Sequence, residues 1–271
     1  MPRASREPLT LSTLLEDNGG RRPESTGAFP LGMTIDGRVY WADLAEPTMT
    51  SILIGGTSGS GKSVLLQSIV AGLGLCAPPG SVRFVLIDPK RVTFPHFADL
   101  PCVENPLYLD AEPALKRLSG LVDEMEERYR VLEEGAVPDL RAYNDHVDEP
   151  LFRYVVIIDE YADMILDHDT RSDLDTCIQR IGQKGRTAGF HLVLATQRPD
   201  SKVVTGVIKA NLQLKIALKV TNAANSRIIL DEPGAEYLIG HGDMLVGGST
   251  AVERLQGALV TKTELQQLSR C

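Results

Sequence analysis

With 271 residues, 43% of them hydrophobic and 24% charged, the chain is long enough for one large α/β domain and apolar enough to bury a substantial core. A formal net charge of -8 argues against a protein coated with nucleic-acid-binding charge, and 5% aromatics argue against a surface built for base stacking. Neither figure excludes a local basic channel.

Residues 1–28 read as a tail or linker, because Asn18-Gly19-Gly20-Arg21-Arg22-Pro23-Glu24-Ser25 is a cluster of turn formers; only Leu11 to Leu15 suggests a helical turn. Asp36-Gly37, inside the β-forming run from Thr34 to Trp41, signals a hairpin. Ser51 to Ile54 predicts a short strand, followed by a glycine loop and a helix from Lys62 to about Leu75. Val82 to Ile87 predicts a second strand, ending at Asp88-Pro89-Lys90. Leu115, Leu118, Leu121, Val122, Met125 and Tyr129 keep helical spacing, which predicts a long helix from Glu112 to Glu134 that Gly135 stops.

Tyr154 to Ile158 predicts a third strand, Asp173 to Thr187 a second long helix, His191 to Thr196 a fourth strand and Leu214 to Val220 a fifth. Thr261-Lys262-Thr263-Glu264 is a capping box that opens a last short helix. Continuous apolar strands alternating with helices predict an α/β fold, with a mainly parallel twisted sheet and helices on both faces. No run approaches the roughly 18 apolar residues of a membrane span. Met1-Pro2-Arg3-Ala4-Ser5-Arg6 leads into no apolar targeting core, so the chain as given reads as cytosolic. The four cysteines, Cys76, Cys102, Cys177 and Cys271, are scattered, which reads as small buried side chains plus a terminal thiol rather than a disulfide framework.

Gly56-Thr57-Ser58-Gly59-Ser60-Gly61-Lys62-Ser63 matches G-x-x-x-x-G-K-[ST] between a predicted strand and a predicted helix. Glycines let the backbone curl until successive N–H groups face phosphate oxygens, and the following helix adds its positive end. Lys62 is then the lysine that reaches the β- and γ-phosphates of ATP, and the Ser63 hydroxyl is a ligand for Mg²⁺. Asp159-Glu160 follows a buried strand, where Asp159 is placed to hold the Mg²⁺ shell and Glu160 to serve as general base. After the next strand, Gln197 is the candidate for positioning the attacking water, since its amide both donates and accepts; Thr196 is the alternative.

These residues resemble the motor domain of the FtsK/SpoIIIE family of DNA translocases. Ile52 to Ser63, Ile87-Asp88-Pro89-Lys90, Asp159 to Asp163, Gln183 to Pro199, Ile208 to Asn211, Ser226 to Asp231 and Gly240 to Leu245 recur in the family's order. The resemblance covers about residues 30–260 and assigns residues 29–271 to one motor domain. It implies a RecA-like P-loop ATPase that assembles into a hexameric ring and pulls double-stranded DNA through its centre. The membrane helices, linker, extra α subdomain and winged helix of larger members are not matched, so attachment, sequence reading and a segregation role are not carried over.

Ser201 to Leu230 contains no acidic residue but holds Lys202, Lys209, Lys215, Lys219 and Arg227, which suggests one basic face. Lys202 and Lys209 are the candidate contacts to DNA phosphates, independent of sequence. Arg186, in the family's Lys-x-Arg-x-x-Gly stretch, is the candidate finger presented to a neighbour's γ-phosphate, with Arg198 and Arg227 as rivals. Two other functions are compatible with the residues: a secretion or conjugative-coupling ATPase of the same superfamily, and a nucleotide-dependent assembly scaffold. The intact Asp159-Glu160 pair counts against the scaffold.

Overall fold

The computed structural model describes residues 8–16, 24–166, 168–248 and 251–268. Among them, one nine-stranded sheet runs through the molecule. Its centre is five parallel strands: β3 (Ile52–Gly55), β4 (Val82–Ile87), β5 (Arg153–Ile158), β6 (Phe190–Thr196) and β7 (Leu214–Leu218). They lie side by side in the order β7, β3, β6, β5, β4. One strand, β6, therefore separates the glycine-loop strand from the Asp159-Glu160 strand.

Every residue of β5 and β6 is buried, as two-sided coverage requires. Alternate residues face opposite layers. Leu53, Val156, Ile158, Leu192 and Leu194 pack on one side with helices α3 (Ala111–Glu134) and α6 (His168–Ala188). Ile52, Ile54, Val155, Ile157 and Val193 pack on the other with α2 (Lys62–Cys76).

The mainly parallel sheet expected from the sequence is thus this core, and the sheet continues beyond it in the other sense. Strands β8 (Asp243–Gly247) and β9 (Glu253–Gln256) run antiparallel to their neighbours from the edge of β7. The hairpin of β1 (Ala28–Thr34) and β2 (Val39–Asp43) then joins β9, with Asp36-Gly37 in its turn. Short strands with mixed polarity, such as Glu253–Gln256, carry too little periodicity to announce themselves.

The first 28 residues are not simply a tail in their described part. Leu11 and Leu14 of helix α1 (Leu11–Glu16) are fully buried, and Leu11 joins the cluster that contains Phe29 and Leu73. The Leu259 N–H donates to the Leu9 carbonyl at 2.8 Å, and the Leu11 N–H donates to the Leu259 carbonyl at 3.0 Å. The predicted capping box forms at α9 (Lys262–Gln267), and its Glu264 also accepts from the Ser12 hydroxyl at 2.6 Å. The two ends of the described chain are thus joined by backbone hydrogen bonds and by the Glu264 carboxylate. Most of the expected turn-former cluster, residues 18–23, lies outside the described residues, as does Cys271. Cys76 and Cys177 are buried as expected, but Cys102 is disulfide-bonded, which the scattered spacing did not announce.

Candidate functional site

The glycine loop leaves β3 and enters α2 at the carboxyl-terminal edge of the parallel strands, where ligands of such sheets bind. It is held from three sides. The Gly56 N–H donates to the Thr196 carbonyl at 3.2 Å, the Thr57 N–H to the Lys219 carbonyl at 2.9 Å, and the Gly242 N–H to the Ser60 carbonyl at 2.9 Å. Gly61 has φ of 106°, and a Cβ there would lie 2.5 Å from the Gly242 nitrogen, so no other residue fits. Gly61 caps α2 without a side-chain acceptor, and the first helical turn leaves its own N–H groups unpaired. The Gly59 N–H has no backbone acceptor among the described residues. The loop thus keeps N–H donors such as that of Gly59 at a positive helix end, an arrangement that suits a polyphosphate.

Lys62, Asp159 and Glu160 are all buried. The Lys62 ammonium donates to the Asp159 carboxylate at 2.5 Å and also to the Asp159 carbonyl. The second carboxylate oxygen of Asp159 is buried with no hydrogen-bond partner. A buried anionic oxygen left unpaired is costly unless a cation or donor meets it, so this atom suits the shell of a divalent ion. The Ser63 hydroxyl, the other expected ligand, lies 3.0 Å from the Thr93 hydroxyl, which donates to it.

Thr93 belongs to a turn organised by Asp88, whose Oδ2 accepts the N–H groups of Thr93 at 2.8 Å and Phe94 at 3.0 Å. The other Asp88 oxygen is also buried and unpaired. Asp88, Asp159 and Thr196 each follow or end an apolar strand, which sets three polar side chains at one level of the sheet edge.

Glu160 is held by three groups. Its Oε1 accepts the Thr196 hydroxyl at 2.8 Å and the Gln197 N–H at 3.0 Å; its Oε2 accepts the same N–H at 3.0 Å and the Lys90 ammonium at 3.0 Å. Burial works against the Lys90 charge, but the hydrogen bond to Glu160 and the charges of Glu160 and Asp163 outweigh it and hold the Lys90 pKa above the usual lysine value. Sequence reasoning separated Gln197 from Thr196 by amide chemistry. In the structure the Thr196 hydroxyl and the Gln197 backbone grip the carboxylate, while Gln197 also lines the cavity above the glycine loop. Lys90, Thr93 and Asp88 received no role from the sequence. The available signal was Asp88-Pro89-Lys90 directly after an apolar strand.

Arg186 lies elsewhere. It is exposed in the last turn of α6, before β6 begins, and lines a 320 Å³ hollow with Arg153, the first residue of β5. That is the amino-terminal end of the parallel strands, opposite the glycine loop. A tight turn fixes it: a Cβ at Gly185 would lie 2.2 Å from the Phe190 carbonyl oxygen, so α6 and β6 touch there. Nearby, buried Arg128 donates to the carbonyls of Phe152 and Ala188, and burial pulls its pKa down to about 10.

Of the basic candidates, Lys202 is exposed, whereas Lys209 and Lys215 both donate to Asp231 at 2.7 Å. Asp231 lies one residue beyond the acid-free stretch and neutralises part of it. Arg198 is exposed, 4.0 Å from Asp163. No helix among the described residues is long and apolar enough to cross a membrane.

A parallel core in this strand order, with a G-x-x-x-x-G-K-S loop after one strand and a buried Asp-Glu pair two strands away, defines a P-loop ATPase. The model of the FtsK/SpoIIIE family matches residues 10–201, and the chain belongs to that family. It is 38% identical to the DNA translocase FtsK of Chlamydia trachomatis serovar D over 99% of its own length, and 37% identical to that of Leptospira interrogans serovar copenhageni over 99%. It spans 35% and 29% of those two proteins.

Among solved structures, the cytoplasmic domain of the Thermomonospora curvata type VII secretion ATPase EccC matches with a TM-score of 0.82 at 26% identity, covering 97% of this chain and 34% of that one. The pCW3 conjugation coupling protein TcpA, in its monomer form with ATPγS, matches with 0.80 at 26% identity, covering 93% and 72%.

Proposed function

We propose that the chain is the motor of a machine that hydrolyses ATP and moves along double-stranded DNA as an oligomeric ring, a hexamer by family resemblance. The observation that carries this reading is the 38% identity, over 99% of the chain, to a protein named as a DNA translocase.

Under this reading the ATP phosphates rest on the N–H groups of the loop that no carbonyl takes, Gly59 among them, and on those of the first turn of α2, while Lys62 shares its ammonium between Asp159 and the β- and γ-phosphates. The Ser63 hydroxyl and the unpaired Asp159 oxygen would hold Mg²⁺, whose charge would help neutralise the phosphates. Glu160 takes a proton from the attacking water, Thr196 and Lys90 orient its carboxylate, and the Gln197 amide faces the water from the cavity wall. Arg186, remote from its own chain's loop, serves a neighbour's nucleotide. Lys202 meets DNA phosphates, and Lys209 contributes less because Asp231 holds it.

The test is the ATPase rate with and without double-stranded DNA, across protein concentration. The reading expects the rate to rise with both. A second reading, a secretion or conjugative-coupling ATPase, rests on the likeness to EccC and TcpA. An ATPase indifferent to DNA at every concentration would favour it over the translocase.

A further inference from the structure

Besides Lys90, the turn that follows β4 carries two residues, Asp88 and Thr93, to which hydrolysis as described above gives no task. Asp88 organises the turn. Its Oδ2 accepts the N–H groups of Thr93 and Phe94, and its backbone carbonyl accepts the Arg91 N–H at 3.0 Å. Arg91 is left-handed, with φ of 60°, a conformation that a residue with a side chain keeps only where its surroundings impose it.

Thr93 is what the turn delivers. It is fully buried, and each of its polar groups is engaged. The N–H goes to Asp88, the carbonyl accepts the side-chain amide of Gln67 from α2 at 2.7 Å, and the hydroxyl donates to Ser63 at 3.0 Å. A serine hydroxyl offers one proton and two lone pairs. With one lone pair committed to Thr93, the Ser63 hydroxyl is held in one orientation and keeps its other lone pair for a cation.

Asp88 adds charge. Ile87 and Ile158 are partners in register, so Asp88 and Asp159 leave adjacent strands side by side. Each buries one carboxylate oxygen that has no hydrogen-bond partner. Lys62 pairs with Asp159, whereas no lysine or arginine among the described residues forms an ion pair with Asp88. Two buried carboxylates beside one ammonium leave negative charge that the side chains do not balance, and a divalent ion balances it.

We propose that Asp88 and Thr93 form the outer layer of the cation site, as positioning residues: Thr93 aims the Ser63 hydroxyl, while Asp88 holds Thr93 and lends its charge to the ion. The inference rests on the reading of Ser63 and Asp159 as the metal site. It makes the strength of cation binding a property of this turn as much as of the glycine loop. Removing an outer partner of this kind typically costs about 10- to 100-fold in metal affinity.

The experiment is Mn²⁺ titration of the intact protein, held in excess over ADP, with free Mn²⁺ read by electron paramagnetic resonance. It compares wild type with Thr93→Val, Thr93→Ser, Asp88→Asn and Ser63→Ala. ADP affinity in EDTA, measured by calorimetry, reports the phosphate loop without metal. Mn²⁺ affinity should fall about 10- to 100-fold in Thr93→Val and Asp88→Asn and stay within about threefold of wild type in Thr93→Ser. Metal-free ADP affinity should stay within about twofold in all three. Asparagine keeps the shape of Asp88 and an oxygen for the turn's N–H groups; if that variant nevertheless fails to fold, the two Thr93 variants decide. Wild-type Mn²⁺ affinity in Thr93→Val, or in folded Asp88→Asn, overturns the proposal. So does a serine variant no better than valine, or a metal-free ADP loss equal to the Mn²⁺ loss, the sign of a collapsed turn. Ser63→Ala isolates the reading beneath: if it binds Mn²⁺ as wild type does, the metal-site reading fails and the proposal with it. If Ser63→Ala loses Mn²⁺ while Thr93→Val and Asp88→Asn do not, only the outer layer fails.

Discussion

Thr196→Val removes one oxygen from the network that holds Glu160 and changes little else. Thr196 is fully buried; its hydroxyl donates to Glu160 at 2.8 Å and accepts the Arg198 N–H at 3.0 Å. Valine has nearly the same shape, so no cavity opens. What is lost is a hydrogen bond to an ionised group, about 1.5–3 kcal/mol. The expected loss of stability is therefore about 1.5–3 kcal/mol.

Catalysis responds on a different scale. The Gln197 N–H and Lys90 still hold the carboxylate, so the base survives but loosens. Removing a general base costs about 10²–10⁴ in rate, and a misplacement of about 1 Å costs up to about 10². We expect kcat for ATP to fall about 10- to 100-fold in Thr196→Val, with KM unchanged because Gly56 to Ser63 are untouched. Steady-state kinetics measure both, and Thr196→Ser, which restores the hydroxyl, should recover most of kcat. A Thr196→Val enzyme within twofold of wild-type kcat, or a serine variant no better than valine, would refute the role given to this hydroxyl.

Glu160→Gln should bind ATP normally and turn over about 10²–10⁴ more slowly, read by nucleotide titration beside single-turnover hydrolysis. Arg186→Ala should likewise keep ATP binding and lose turnover, and mixing it with Glu160→Gln should recover part of the rate, since mixed assemblies contain interfaces with both halves intact. Demonstrably monomeric wild-type protein hydrolysing ATP at full rate would end the shared-site idea. Buried His191 lies 3.1 Å from the Thr50 carbonyl and 3.2 Å from the Arg153 guanidinium, an arrangement that suits the neutral ring; burial and the Arg153 charge push its pKa well below the usual value. Below about pH 6.5 the unfolded chain takes up a proton that the native state refuses, so stability should fall by about 1.4 kcal/mol per pH unit. Urea midpoints at pH values from about 7 to 5 should show that slope, and His191→Gln should flatten it.

The parallel half of the molecule was legible because its signals are local. Five apolar strands, two long amphipathic helices and the glycine loop each declare themselves within a short window, and the structure places them within a few residues of expectation. The contacts that finish the site were not legible, because they join distant residues through geometry. Thr93 meets Ser63, Lys90 meets Glu160, and Gly242 meets Gly61, each across a loop whose path no periodicity predicts. Charge counting misled for the same reason. The stretch from Ser201 to Leu230 has no acid in sequence, yet Asp231 folds back onto two of its lysines.

The placement of Arg186 carries the argument for assembly further than its motif does. In a parallel sheet the two ends are not interchangeable: loops after the strands hold the ligand and turns before them do not. Arg186 is pinned before β6 by the close approach of Gly185 to Phe190, at the end where β5 starts with Arg153. A swing of the side chain cannot carry a guanidinium across strands of six or seven residues at about 3.3 Å each. If Arg186 touches a γ-phosphate at all, the phosphate belongs to another copy, whose loop edge faces this chain's turn edge. Such a contact is head to tail, and repeated it closes into a ring or runs on as a filament. A head-to-tail assembly, of which the ring of the proposed motor is the closed form, is thus what this arginine's position requires of its own hypothesis. An Arg186 variant that behaves the same in monomer and assembly would remove the requirement and the hypothesis together.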